Sequence, residues 1–127
     1  MTNSSIPQQF GAIPLNPQWT VVRGDTGVLR IEFYENDEVT PFDTSGWVTI
    51  AAAYDHKGDV IDELNTTLGE GFVEITALST VTSQWGLGYK AIVAELAFDL
   101  QVTIGNTVWT PIIGTIRVLG DISGGSL

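Results

Sequence analysis

The sequence predicts an all-β fold, a single immunoglobulin-like β-sandwich with an extended N-terminal arm, and three observations point there. Over residues 28–34 apolar and polar residues alternate: Leu29, Ile31 and Phe33 are apolar, while Arg30 and Glu32 face the other way. That period of two is what a strand with one buried and one wet face requires. The same texture recurs as far as Val118, interrupted by Gly, Asp and Asn turns rather than by helices. Finally, 127 residues, 43% of them hydrophobic, suit one domain with one core, and no linker separates two comparable apolar halves.

Residues 1–18 form the arm. Pro7, Pro14 and Pro17 lack backbone donors and favour extended conformations, and Gly11 loosens the path. Ile6, Phe10, Ile13 and Leu15 give it apolar points that a purely disordered tail rarely carries. Two readings stand: a strap over the chain's own sandwich, or an arm docking on a neighbouring subunit. Under the second, these four are the candidate partner-binding residues.

Residues 19–121 form the sandwich domain. A first strand over 19–23 ends at the bend Gly24-Asp25, and 28–34 is the clearest strand. Glu35-Asn36-Asp37-Glu38 is a polar turn, 40–46 a longer connection, and 47–54 the next strand. Asp55-His56-Lys57-Gly58-Asp59 turns the chain into 60–64 as a hairpin. Gly69-Glu70-Gly71 precedes a strand over 72–76, and 79–85 holds one helical turn with Ser79 or Thr80 as its N-cap. Over 89–100 the Ala and Leu content suits a helix. Gly88 and the alternation of Ile92, Ala94, Leu96, Phe98 and Leu100 decide for a strand. Gly105-Asn106 is a tight hairpin turn between 101–104 and 107–111, and a final strand over 114–119 points Ile116 and Val118 inward. Residues 122–127 read as a flexible tail.

The charge balance narrows the partners. Five Lys and Arg stand against fifteen Asp and Glu, a net charge of −10. Ten of the fifteen acids fall within 24–64, opposed there only by Arg30 and Lys57. Phosphate binding needs clustered cations, so neither nucleic acid nor an anionic membrane is an expected partner. Charged residues are only 16% and mean hydropathy is +0.19, a composition that suits a surface covered in part by partner subunits. No cysteine is present, which excludes disulfides and thiolate metal sites. No basic segment followed by an apolar core marks a secretory signal, and no apolar run approaches the ~20 residues that span a bilayer.

No catalytic constellation is visible, so no enzymatic activity and no cofactor are expected. The one histidine, His56, sits in the predicted hairpin turn, and nothing marks a particular serine as a nucleophile. Asp55, Asp59, Asp62 and Glu63, and likewise Glu35, Asp37 and Glu38, have oxygen ligands to offer calcium, but neither group follows a recognised loop pattern. They are expected as a solvated acidic face, without a metal. Arg23-Gly24-Asp25 spells an adhesive tripeptide, yet its place between two strands reads as a bend. The four tryptophans, Trp19, Trp47, Trp85 and Trp109, suit a core or a subunit interface, or alternatively a sugar-binding platform.

Four short motifs carry a resemblance. They are Arg23-Gly24-Asp25-Thr26 before the strand at 28–33, Asp43-Thr44-Ser45-Gly46-Trp47 before that at 48–54, Trp85-Gly86-Leu87-Gly88-Tyr89 before the long strand, and Gly114-Thr115-Ile116-Arg117-Val118. Over roughly 19–121 the chain resembles the N-terminal domain of siphophage baseplate upper proteins and related minor tail proteins. The resemblance implies an immunoglobulin-like sandwich that attaches a protein to a phage particle. It further implies a virion location after assembly in the host cytoplasm, other phage structural proteins as partners, and homo-oligomers in the particle. Larger members of that family carry further receptor-binding or fibre segments; a lone domain fits a scaffolding or decorating role better. A capsid decoration protein is the alternative within the particle, and a carbohydrate-binding module the alternative from another class.

Overall fold

A computed structural model describes residues 14–85 and 93–120, which are β-structure almost throughout. The strands are β1 (Gln18–Val22), β2 (Gly27–Glu32), β3 (Val48–Tyr54), β4 (Val60–Gly69), β5 (Phe72–Ala77), β6 (Val93–Ile104) and β7 (Thr107–Leu119), with a helical turn α1 (Ser79–Thr82) after β5. Side by side they run β1-β7-β6-β3-β4-β5-β2. Neighbours are antiparallel except β1, which runs parallel to β7 from Gln18 opposite Thr115 to Val22 opposite Leu119.

Strand β4 makes a sandwich of this sheet. Its first half pairs with β3, through Val60 to Leu64, and its second half pairs with β5, from Asn65 to Gly69. The layer β4-β5-β2 therefore folds across the layer β1-β7-β6-β3-β4, an immunoglobulin-like order with the fourth strand shared. The sandwich expected from the alternating pattern is the fold the chain adopts.

Alternation fills the space between the layers. On β6, Ala94, Leu96, Phe98, Leu100 and Val102 are buried, and Val73, Ile75 and Ala77 of β5 meet them from the other layer. The segments expected at 101–104 and 114–119 are parts of two long continuous strands. Leu100 lies opposite Ile112 but Val102 lies opposite Trp109, so Thr110 and Pro111 together face Gln101. A proline cannot donate to a ladder, and a bulge is where a strand tolerates one without ending. The hairpin turn between them is as expected, with Gly105 at φ +59°.

The four tryptophans belong to the core, each between 2% and 6% exposed. Trp19 meets Phe98 edge to face at 5.5 Å, and Trp47 meets Phe33 at 5.1 Å and Trp109 at 5.8 Å in the same manner. These are the arrangements that ring quadrupoles favour. Beside β6, β3 contributes the small Ala51 and Ala53, both fully buried, opposite Leu100 and Phe98.

One local expectation is corrected. Neither Ser79 nor Thr80 caps α1; the N-cap is Leu78, with no side-chain cap bond. The Leu78 carbonyl accepts from Val81 and Thr82. That start places Thr82 where its buried hydroxyl holds the β1–β2 bend.

Candidate interface

Two of the sequence motifs are points where the chain changes direction, and the last lies within β7 at a close approach of neighbouring chain. At Arg23-Gly24-Asp25, Gly24 adopts φ +91°, and the Asp25 N–H donates to the Val22 carbonyl. The Thr82 hydroxyl, fully buried, donates to the Asp25 carbonyl at 2.7 Å and accepts from the Gly24 N–H at 3.1 Å. Arg23 Nε donates to the Trp85 carbonyl at 2.7 Å. The tripeptide is thus a clamped bend, as its place between strands suggested. At Asp43-Thr44-Ser45-Gly46-Trp47, Asp43 Oδ1 accepts from the Ser45 N–H and hydroxyl, which hold its carboxyl below the usual range. Thr44, 2% exposed, donates to the Gly69 carbonyl at 2.5 Å and accepts from the buried Gly71 N–H at 3.1 Å. In the last motif a Cβ on Gly114 would lie 2.5 Å from the Pro17 carbonyl oxygen and 2.6 Å from the Phe98 ring, so only glycine lets β1 and Phe98 close on β7. Trp85 is buried with its indole N–H donating to Asp62 Oδ2 at 2.8 Å, while 86–92 lie outside the described residues.

A groove opens where the two outer edges part. Leu15 already pairs with β7, its N–H donating to the Pro111 carbonyl at 2.9 Å and its carbonyl accepting from the Ile113 N–H at 3.0 Å. Past Glu32 the chain leaves β2 for a small hairpin in which Tyr34 bridges Pro41. Between them lies a groove of about 620 Å³, within the range of ligand pockets. Its apolar lining comes from Pro14, Leu15, Ile31, Phe33, Trp109, Pro111 and Ile112, and its polar lining from Glu32, Tyr34, Glu35, Asn36 and Glu38. Glu32 accepts from the Tyr34 hydroxyl at 2.6 Å and Arg30 Nε at 2.9 Å, and these bonds lower its carboxyl's pKa. Glu38 sits in the left-handed region at φ +61°, beside Asp37, whose carboxyl is lowered by bonds from the Thr40 hydroxyl and the Thr40 and Val39 N–H groups.

A second uncovered surface lies on the outer face of the larger layer. Val48, Ile50, Val108 and Ile113 are each about half exposed there. Register places Val48 and Val108 on either side of Thr103, and Ala52 and Ile113 on either side of Asp99. Asp99 accepts from the Tyr54 hydroxyl at 3.1 Å, and its partial burial raises its carboxyl above the usual range.

Of the candidate partner-binding residues, Leu15 lines the groove and is 69% exposed; Ile6, Phe10 and Ile13 lie outside the described residues. The tail at 122–127 also lies outside them. Of the acidic residues expected in solvent, Glu35, Asp37, Glu38, Asp59 and Glu63 are exposed. Asp55 and Asp62 are half-buried, because Asp55 Oδ1 accepts from the Lys57 and Asp59 N–H groups and Asp62 accepts from the Trp85 indole. Among the described residues no three His, Cys, Asp or Glu side chains gather as they would to hold a metal. Nor is any helix there long and apolar enough to cross a membrane. The groove and the apolar sheet face went unseen in the sequence. Leu15 keeps the phase of the buried Trp19 and Val21 and only tertiary packing leaves it bare, whereas Val48 and Val108 put apolar side chains on the face where alternation leads one to expect polar ones.

No known family model matches the chain, and no curated protein matches it either.

Proposed function

We propose that the chain is a structural subunit of a phage particle, a minor tail or baseplate component that works through protein–protein contacts and catalyses no reaction. The observation that carries this reading is the apolar surface left uncovered in two places, the groove at Leu15 and the sheet face around Ile113. Contact surfaces of this kind are the equipment of a subunit. The motifs at 23–26, 43–47 and 114–118 sit at bends and at a close approach of this sandwich, in accord with the fold that the resemblance implies. Its partners are other phage structural proteins and further copies of itself, in a virion assembled in the host cytoplasm. The buried tryptophans offer no exposed platform for a sugar, which leaves the carbohydrate-binding alternative without the feature that suggested it.

Quantitative mass spectrometry of purified particles tests the proposal. A tail or baseplate subunit is expected at low copy number in the tail fraction, in multiples set by a small ring. Copies scaling with the capsid subunits would replace this reading by decoration, and absence from particles would overturn both.

A further inference from the structure

We infer that the groove between Leu15 and Tyr34 is the receptor for residues 6–13 of a neighbouring copy of this chain. Strand β1 and the residues before it keep one register with β7, from Leu15 opposite Ile112 to Val22 opposite Leu119. Period two therefore places Leu15 on the side of Trp19 and Val21, which are 4% and 3% exposed. Leu15 is 69% exposed on that inward-facing side because the groove beside it is open. An apolar occupant would complete the row.

The chain supplies such an occupant directly before Pro14. Ile6, Phe10 and Ile13 are apolar at short spacing, and in a sequence of fifteen carboxylates none precedes Asp25. That neutrality matters at a groove edged by Glu35 and Glu38, which repels acidic segments. Gln8 and Gln9, next to Phe10, bring amide donors that suit those carboxylates.

The donor is a neighbour because the groove's own wall is Pro14 and Leu15, fixed to β7 by the bonds of Leu15. A proline at 14 disfavours the helical conformation at the residue before it, so a return of the same chain across its own wall has to be made further upstream, at Gly11, which leaves too few of residues 6–13 to fill the groove. A neighbour's segment meets no such constraint. The contact joins an arm to a groove, unlike surfaces that repeat head to tail, and so generates rings or open chains. The inference rests on the reading of this protein as a self-assembling subunit.

Complementation between two full-length variants tests it by sedimentation equilibrium. Wild-type protein is expected to exceed the monomer mass as concentration rises. Phe10→Asp breaks the arm, and Tyr34→Asp puts a charge at a groove residue that is 41% exposed. Each alone should stay monomeric over the range where wild type assembles, an association weaker by roughly 10- to 100-fold for the loss of one buried phenyl group. Near-ultraviolet circular dichroism confirms that both are folded. Mixed in equal amounts they should form a 1:1 dimer and nothing larger, the intact arm of one in the intact groove of the other. Wild-type-like assembly by either variant, a mixture that stays monomeric, or a monomeric wild type would overturn the inference. A monomeric wild type whose melting temperature falls on Phe10→Asp would show the segment to be a strap on its own domain. Because the readout uses purified chain, an arm–groove failure leaves the virion reading standing, and absence from particles leaves the groove result standing.

Discussion

Replacing Thr44 by valine keeps the side chain's shape and removes one oxygen. That oxygen donates to the Gly69 carbonyl at 2.5 Å and accepts from the Gly71 N–H at 3.1 Å, and Thr44 is 2% exposed. Valine leaves both main-chain groups without their partner. A buried group deprived of its hydrogen bond costs about 1–3 kcal/mol. Gly71 is buried and its N–H bears the full penalty, while Gly69 is half-buried and its carbonyl regains some water. The sum is about 2–4 kcal/mol, a large part of the ~5–15 kcal/mol that holds a domain folded. For a chain of this size each kcal/mol moves the melting temperature by about 3–5 °C, so a fall of roughly 6–20 °C is expected. Urea unfolding followed by tryptophan fluorescence measures it, with a lower midpoint and an unchanged slope. Thr44→Ser keeps the hydroxyl and loses one methyl group, at about 1 kcal/mol. If valine matches wild type within about 0.5 kcal/mol, or if serine and valine cost the same, the Thr44 clamp does not hold the β4–β5 turn.

Three further expectations can be checked with the same unfolding assay. Gly71→Ala meets both a left-handed backbone at φ +80° and a Cβ contact of 2.7 Å with Pro41, whereas Gly105→Ala at φ +59° meets open space; the first should lose more stability than the second, which is expected near ~1 kcal/mol. Equal losses would refute the close approach of Pro41. Asp99 has a folded-state pKa raised by burial, so it ionises more readily when unfolded and opposes folding once pH exceeds the usual carboxylate range. Asp99→Asn should therefore raise stability at neutral pH, with a gain that fades as pH falls below that range; a gain independent of pH would refute the cause. Asp37 is the opposite case: its lowered folded-state pKa contributes stability present above the usual carboxylate range and lost as pH falls through the lowered value. Asp37→Asn should flatten that acid limb, and an unchanged limb would show the bonds to Thr40 and Val39 to be inconsequential.

Alternation made the strands legible because burial on one side of a strand acts on every second residue, as Leu96, Phe98 and Leu100 show. The bends were legible as well, since Gly24 and Gly105 mark positions few other residues tolerate. What local pattern does not encode is which edges meet. The parallel pairing of β1 with β7 joins residues 97 positions apart, Gln18 with Thr115, and nothing near Gln18 announces it. Thr82 illustrates the same limit. Its sequence neighbours read as a helix start, and its buried hydroxyl serves a bend 57 residues away. The groove depends on pairing of the same long range, since Leu15 of its wall pairs with Ile112, so of the candidate site only Leu15 was visible beforehand.

The parallel pairing also decides how the domain carries load. When the chain is pulled from the residues before β1 and those after β7, the two strands slide along each other rather than peel apart. Every bond between them, from Leu15 with Pro111 and Ile113 onward to Arg23 with the Leu119 carbonyl, is then strained together. An unzipping hairpin yields one bond at a time. A shear joint of this kind resists until the whole row fails, so tension along the chain is borne collectively by the strand pair at the domain's margin.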